Sequence, residues 1–226
     1  MKIKEKLQPD FIENMYSLYS HKKEEVNNIL ESEIYEVLAY AEFLRPGDSF
    51  SFYSLPLYVI CRISKPNIVI ETGTQNGGST QAILCALRDN EKGTLHSIDS
   101  GDQSTDGTHI STFGEPGQDI TKDLKKRWNF HLGYTYDVLP IILPQLKKVD
   151  LFFHDSDHSK ECVEFEFREI IQYCAKGSFV GLHDHYGQWD YTNILKEFSF
   201  VIGYHRPAVH YKDGRYHNVL RLWRKN

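Results

Sequence analysis

Short, mostly apolar runs alternate with helical patterns from residue 54 to residue 182 of this chain. The runs have the length of strands, as in 67–71 (NIVIE) and 149–154 (VDLFFH), whereas 78–89 carries apolar residues at helical spacing. Strands that alternate with helices favour parallel pairing through crossovers, with helices covering both faces of the sheet. The pattern therefore predicts an α/β fold with a doubly wound, mostly parallel sheet.

The last part of the chain departs from this alternation. Two predicted strands there are joined by a turn signal at 212–215 without a helix between them, which favours antiparallel pairing. The sequence thus predicts a seven-stranded Rossmann-like sheet with a terminal antiparallel strand. The expected strands are 67–71, 94–98, 128–132, 149–154, 178–182, 199–204 and 217–224, and the expected helices are 54–64, 78–89, 119–127, 137–147, 159–175 and 190–197.

The N-terminal segment predicts a helical cap. Residues 11–45 repeat apolar side chains at steps of three and four, and Arg45-Pro46-Gly47-Asp48 ends the pattern. We therefore expect a cap over 1–50 and a ligand-binding domain over 51–226. The apolar stripe could cover its own sheet or a second subunit, so a homo-oligomer is left open.

Composition narrows the classes of partner. Lys and Arg number 26 against 31 Asp and Glu, a net charge of −5, which argues against a nucleic-acid partner. No apolar run approaches the roughly 20 residues that cross a bilayer, so no membrane partner is expected. The four cysteines stand in apolar-periodic segments without CxxC pairing, which predicts buried thiols in a reducing, cytoplasmic protein.

The turn after the first predicted strand reads Glu-Thr-Gly-Thr-Gln-Asn-Gly-Gly-Ser over 71–79. Gly73 and Gly77 allow a tight turn and a close ligand, and the helix start offers free N–H groups. Gln75 stands where the fingerprint of dinucleotide-binding proteins has its second glycine, so a dinucleotide ligand fits this turn poorly. Glu71 could hold an ammonium group and the turn could accept an amino-acid moiety, but the loop alone fits a purely structural turn equally well.

The next predicted strand ends in Asp99. An acidic side chain at this position can accept hydrogen bonds from both ribose hydroxyls. Asp at a strand end is also common in turns, so Asp99 alone decides little. Combined with the spacing of Glu71 and the glycines, it predicts a ligand that joins a nucleoside to an amino acid.

Acidic residues and histidines follow two later strands. Asp155 comes after 149–154, and Asp184 and His185 come after 178–182. Neighbouring parallel strands would bring Asp155 and Asp184 within reach of one cation. Carboxylate ligands suit Mg²⁺, or another divalent cation if His185 also binds.

Histidine at the start of the next helix predicts acid–base chemistry. His158 follows Asp155 by three residues, and its unperturbed pKa near neutrality makes it a candidate general base. We expect Asp157 to be the N-cap of the helix at 159–175. His154 and His183 are interpreted as structural residues.

Five segments together resemble the class I S-adenosylmethionine-dependent methyltransferases, in particular the small-molecule enzymes around the catechol and macrocin O-methyltransferases. The resemblance covers about residues 54–224 in order. It is carried by SLPLYVICRISKPNIVIETGTQNGGST, TLHSIDS, HLGYTYDVLP, VDLFFHDSDHSKECVEFEF and GSFVGLHDHYG.

The resemblance implies roles for particular residues. It implies S-adenosylmethionine (SAM) as cofactor, with Asp155 and His158 as catalytic residues. It departs at Tyr134, where the family usually has an acidic residue near the adenine, and at His185, which replaces the usual Asp or Asn. The implied cofactor-binding residues are Glu71, Gly73, Thr74, Gly77, Ser79, Asp99 and Asp155, and the implied metal ligands are Asp155, Asp184 and His185.

The function that follows is methylation of an oxygen on a small molecule such as a sugar, a natural product or a hydroxylated metabolite. A divalent metal would orient the acceptor hydroxyl, and the Gly-rich stretch 100–118 is expected to be a substrate lid or a plain insertion. Two alternatives remain open at this point. They are a nicotinamide-dependent oxidoreductase on a related fold and a non-catalytic cofactor-binding accessory protein.

Overall fold

The computed structural model describes residues 2–33, 51–101, 116–118, 120–185, 189–210 and 216–226. It contains six α-helices and seven β-strands in these ranges. The helices are α1 (Pro9–Leu18), α2 (Lys23–Glu31), α3 (Ser51–Ser64), α4 (Gly78–Asp89), α5 (Thr135–Leu146) and α6 (Lys160–Ile171). The strands are β1 (Ile68–Thr72), β2 (Thr94–Asp99), β3 (Trp128–Leu132), β4 (Val149–His154), β5 (Cys174–His185), β6 (Phe198–His210) and β7 (Tyr216–Lys225).

The strands form one sheet in the order β3-β2-β1-β4-β5-β7-β6. The first five are parallel to one another, and β7 runs antiparallel to both β5 and β6. This confirms the predicted fold class, including the antiparallel strand at the C-terminal end. Because β1 and β4 are central, the segments that follow them meet at the middle of the sheet's carboxyl edge.

Each face of the sheet is covered by a separate apolar cluster. Phe153 of β4 packs in a cluster with α3 and α4, including Leu57 and Ile83. Its neighbour Phe152 points to the other face, where Leu139 of α5 and Phe167 of α6 are buried. Adjacent residues of a strand point to opposite faces, so a strand covered on both sides is apolar throughout. This explains the continuous apolar runs of the sequence.

The predicted helical segment at 11–45 is interrupted. Helix α1 ends at Leu18, a 3₁₀ turn follows at Ser20–Lys22, and α2 ends at Glu31. The hydroxyl of Ser32 donates to the carbonyl of Ile29 at 2.7 Å, which satisfies an acceptor at the helix end. The remainder of the prediction, including the breaker at 45–48, lies outside the described residues.

Helices α1 and α2 share their core with the sheet. Phe11, Met15 and Val26 are fully buried in the same cluster as α3 and α4. The apolar stripe of the described N-terminal residues thus covers its own domain. The division into a cap over 1–50 and a domain over 51–226 stays a prediction.

Other element boundaries differ from the sequence prediction. The helix expected at 190–197 is wrong, because the carboxylate of Asp190 accepts from the N–H of Thr192 (2.9 Å) and turns follow. Within the stretch expected as helix at 119–127, the described residues form only a 3₁₀ turn at Leu124–Arg127. Helix α6 stops at Ile171, earlier than expected, since β5 already begins at Cys174.

All four cysteines are buried as free thiols. Burial raises the pKa of Cys162 and of Cys174 to about 12. Both thiols therefore stay protonated near neutral pH. Within the described part of the chain, no helix combines the length and apolarity that a membrane crossing requires.

Two histidines on neighbouring strands form a stacked pair. Nδ1 of His96 on β2 lies 3.1 Å from Nε2 of His131 on β3, and the rings are 5.4 Å apart. Burial, together with repulsion from His131, lowers the pKa of His96 to about 4, and burial also lowers the pKa of His131. The folded state therefore holds His96 neutral at pH values where an unfolded chain would protonate it.

The contribution of His96 to the free energy of unfolding is expected to fall as the pH drops from 6.5 towards 4, whereas a buried carboxyl with a raised pKa, such as that of Glu71, contributes with the opposite sign. Between these values the unfolded state binds more protons at His96, so acidification favours unfolding. The His96→Gln variant should lose part of this slope in urea unfolding measured across the interval. Replacement of the exposed His21 by Gln is the matched control, and equal slopes for parent and His96→Gln would contradict the prediction.

Candidate functional site

The turn between β1 and α4 depends on glycine at two positions. Gly73 and Gly77 have φ values of +80° and +100°, in the left-handed region that disfavours other residues. The N–H of Gly73 donates to the carbonyl of Ile98 at 2.8 Å. A Cβ at Gly73 would lie 2.0 Å from the carbonyl oxygen of Asp155, so only glycine allows this approach. The turn is thereby packed directly against the end of β4.

Glu71 lies beneath the turn with no exposed surface. Its carboxylate accepts hydrogen bonds from the hydroxyls of Ser79 (2.6 Å), Thr80 (2.7 Å) and Ser97 (2.7 Å). Burial raises the pKa of Glu71 to about 7, although the three hydroxyl hydrogen bonds oppose the shift. Glu71 thus ties β1 to the start of α4 and to β2, and its predicted contact with a ligand stays a prediction.

Asp99, at the end of β2, holds the same turn in place through hydrogen bonds. Its carboxylate accepts from the N–H groups of Thr74 (2.7 Å), Gln75 (3.0 Å) and Gly101 (2.8 Å). These three bonds leave fewer lone pairs for the ribose hydroxyls than the sequence suggested. The predicted contact of Asp99 with a ribose stays a prediction.

Among the buried polar atoms near the turn that make no hydrogen bond with any residue that the structure describes, two belong to almost fully buried residues. They are Oγ1 of Thr74 and Oε1 of Gln81, whose residues are 3% and 4% exposed. Buried polar groups normally have a partner, so these atoms are candidates for hydrogen bonds to a ligand. The sequence predicts Thr74 as a cofactor residue, whereas nothing in it points to Gln81.

A carboxylate and two imidazoles meet where β4 and β5 end. Oδ1 of Asp155 lies 2.5 Å from Nδ1 of His183 and 3.6 Å from Nε2 of His158. One ligating atom from each of the three residues lies within 4.8 Å of the others, so the group could hold a metal ion. Burial alone would raise the pKa of Asp155, but His183 and His158 outweigh it and lower the pKa to about 2. The carboxylate is therefore anionic at neutral pH.

His183 is the site residue that sequence analysis missed. Register supplies the signal that could have found it, because β4 and β5 pair in parallel with His154 opposite Leu182. Asp155 follows His154 and His183 follows Leu182, so these two residues come directly after a pair of opposite residues and lie side by side. The sequence predicts that these two strands are neighbours, but without their exact register it assigns the contact with Asp155 to Asp184 and leaves His183 as a structural residue.

The structure describes the other predicted ligands only in part. Asp184 and His185 lie on β5 directly after His183, and their side chains are outside the description. The metal set of Asp155, Asp184 and His185 therefore stays a prediction. Most of the predicted lid at 100–118 lies outside the described residues as well.

Behind the cluster lies a second, fully buried carboxylate. Glu166 of α6 accepts from Nδ1 of His154 (2.6 Å), the hydroxyl of Thr72 (2.7 Å) and the hydroxyl of Ser156 (2.7 Å). Burial opposes the charged form, but His154 and the hydroxyl donors outweigh it and lower the pKa of Glu166. The ring of His154 meets the ring of His158 edge to face at 5.6 Å. Glu166 thus holds a layer of side chains against which His158 packs.

The start of α6 corrects one interpretation of the sequence. Ser159, not Asp157, is the N-cap, since its Oγ accepts from the N–H of Cys162 at 3.3 Å. The carboxylate of Asp157 instead accepts from the N–H (2.9 Å) and hydroxyl (3.0 Å) of Ser159. Asp157 is exposed and supports the cap from outside the site.

Comparisons with known proteins give a match to one family and several similar solved structures. The sequence profile of one protein family, described as a methyltransferase domain, matches residues 70–185, which include the turn, Asp99 and the cluster. No curated protein sequence matches significantly.

Among solved structures, the O-methyltransferase TomG from Streptomyces achromogenes, in complex with SAM, is 16% identical with a TM-score of 0.60. The similarity covers 86% of this chain and 91% of that one. An O-methyltransferase from Bacillus cereus in complex with SAH is 15% identical with a TM-score of 0.56, over 95% of this chain and 100% of the other. At these identities the structural similarity establishes the fold.

Proposed function

The chain belongs to the methyltransferase domain family, and from this premise we propose that it transfers the methyl group of SAM to an oxygen of a small molecule. The observation that carries the proposal is the contact between Gly73 and Asp155. It joins the glycine turn, which suits a nucleoside amino acid, to the only cluster of a carboxylate and two imidazoles among the described residues. Two solved proteins of the same fold are in complex with SAM and SAH, which supports this choice of ligand.

The residues at the turn would bind the cofactor as follows. SAM supplies a methyl group already activated on a sulfonium, so the protein has mainly to hold donor and acceptor in line. The backbone of the turn, with Oγ1 of Thr74, faces the methionine part, and Asp99 accepts from the ribose. Glu71 and Ser79 act from below by fixing the turn, since the Glu71 carboxylate has no exposed surface.

His158 is the proposed general base. Its Nε2 lies 3.6 Å from the Asp155 carboxylate and makes no hydrogen bond with the described residues; this nitrogen is buried, but the ring that carries it is partly exposed, and an acceptor bound at the cluster would be its partner. It can therefore receive the proton of an acceptor hydroxyl, and the anionic Asp155 would stabilise the resulting imidazolium. The buried layer of His154 and Glu166 keeps the ring of His158 in place.

A divalent ion fits the same group of residues. Asp155 and His183 are its proposed ligands among the described side chains, with Asp184 and His185 as further ligands from the sequence prediction. Such an ion would supply positive charge that lowers the pKa of the acceptor hydroxyl. Imidazole donors favour Mn²⁺, Co²⁺ or Zn²⁺, whereas Mg²⁺ prefers an all-oxygen set.

Calorimetry with SAM and SAH tests the cofactor directly. We expect saturable binding of both ligands to the purified chain, and weaker binding of the 2′-deoxy analogue of SAH if Asp99 contacts the ribose. NADH is the matched control ligand. Heat from NADH with none from SAM or SAH would favour the oxidoreductase alternative and end the proposal.

Manganese binding, followed by electron paramagnetic resonance, tests the ligand assignment without an activity readout. The His183→Gln variant is expected to weaken Mn²⁺ binding at least tenfold, because it removes an imidazole ligand. The His158→Gln variant should stay within about threefold of the parent, since we assign His158 as base. Equal affinities of the parent and His183→Gln would remove His183 from the metal site.

A further inference from the structure

A cavity lies on the side of the sheet that faces away from the candidate functional site. It has a volume of about 450 Å³ and is bounded by α1, by the start of β5 and by the β6–β7 pair. Arg224 of β7, which contributes to its wall, pairs with Phe179 of β5, whereas His183 lies four residues further along β5. The cavity therefore opens towards the amino ends of the parallel strands, away from the candidate active site.

Arg224 is half-buried without an anionic partner. Its Nε is buried and makes no hydrogen bond, and its guanidinium forms no ion pair with any residue in the described ranges. The described contact of the guanidinium is with the ring of Phe179, 5.9 Å from the ring centre. Burial of part of a charge without a counter-ion is unfavourable, and the ring of Phe179 offsets only part of this cost, so an anion from outside the described residues would stabilise Arg224.

The other charged side chains of the described wall are two lysines. Lys176 and Lys225 line the cavity with Arg224, and the described lining contains no aspartate or glutamate. This contrasts with the net charge of −5 of the whole chain. Lys225 donates to the carbonyl of Cys174 at 2.9 Å and forms an ion pair with Glu197 at 3.4 Å, so much of its charge is already neutralised, whereas Lys176 is exposed. Ser17 of α1 adds a hydroxyl.

We propose that this groove binds a phosphate-bearing small molecule, with Arg224 as the central donor and Lys176 as a second cation. The planar guanidinium offers paired N–H donors that match two phosphate oxygens. A volume of about 450 Å³ lies in the range of small-molecule sites and exceeds what one phosphate needs. A diphosphate, free or carried by an organic group, is the chemistry that the groove fits.

Calorimetry of the full chain with inorganic pyrophosphate, inorganic phosphate and ADP tests the proposal. Pyrophosphate is expected to bind saturably, with the same affinity in the presence of saturating SAH, because the groove is separate from the cofactor turn. Tighter binding of ADP would assign a nucleotide, and equal binding an inorganic anion. Both of these results support a phosphate-binding groove. The absence of saturable binding of any of the three probes at millimolar concentration would overturn the proposal.

Variants locate the binding. Arg224→Gln should weaken pyrophosphate binding at least tenfold, and Lys176→Gln, an exposed position that leaves the fold intact, at least threefold. Lys125→Gln, which removes an exposed cation elsewhere, should leave the affinity unchanged. If Arg224→Gln fails to fold, the Lys176→Gln result decides alone. Parent affinity in Lys176→Gln and in any folded Arg224→Gln would overturn the assignment to this groove.

Discussion

Replacing Asp155 by Asn is expected to lower kcat/KM for methyl transfer by about a thousandfold, whereas the dissociation constant for SAM should change less than threefold. The carboxylate is the anionic centre of the cluster and lies 3.6 Å from the proposed base. Asparagine keeps the shape but removes the charge that stabilises a protonated His158 and holds a divalent ion. Losses of 10²–10⁴ are typical when acid–base or metal catalysis is removed.

Steady-state kinetics with a methyl acceptor, combined with calorimetry for SAM, measures both quantities. Product mass spectrometry against a panel of sugars, catechols and hydroxylated metabolites supplies that acceptor. Asp157→Asn is the matched control, because Asp157 is an exposed acid two residues away that contacts only the helix cap in the described structure. Unchanged turnover in Asp155→Asn would exclude Asp155 from the mechanism, and a chain that binds SAM but methylates nothing would favour the accessory alternative.

The fold was predictable because its central elements have strong patterns. The apolar run at 149–154 and the helical spacing at 78–89 need no long-range information, and the structure has β4 and α4 at these bounds. The wrong prediction at 190–197 has a local cause. The Asp190 side chain bonds to the backbone of Thr192, and this favours a turn over a helix in a way that periodicity cannot detect.

The candidate site was predictable only as far as strand ends could be located. Glycines and Asp155 follow strands and could be assigned to the carboxyl edge from order alone. His183 could not, because its proximity to Asp155 depends on the register of β4 against β5. The same holds for Glu71, whose three hydroxyl partners come from two different elements and enclose it. Pairwise geometry of this kind is set by tertiary packing.

Replacing Gly73 by Ala is expected to lower the free energy of unfolding by more than about 3 kcal/mol and to weaken SAM binding at least a hundredfold. A Cβ there would overlap the carbonyl oxygen of Asp155 at 2.0 Å; the backbone fixes the position of the Cβ and the oxygen is itself a backbone atom, so neither can rotate away. The turn would have to move from β4, and with it the N–H groups held by Asp99.

Gly177→Ala separates this overlap from the strain of the backbone conformation. Gly177 has a similar φ of +88°, but a Cβ there meets its nearest atom, on the Arg224 side chain, at 3.4 Å. Its cost should therefore be the left-handed penalty alone, about 1–2 kcal/mol, without loss of SAM affinity. Urea unfolding and calorimetry on both variants measure the difference. Equal effects would mean that the turn does not need its contact with Asp155, and the link between cofactor turn and catalytic cluster would fail.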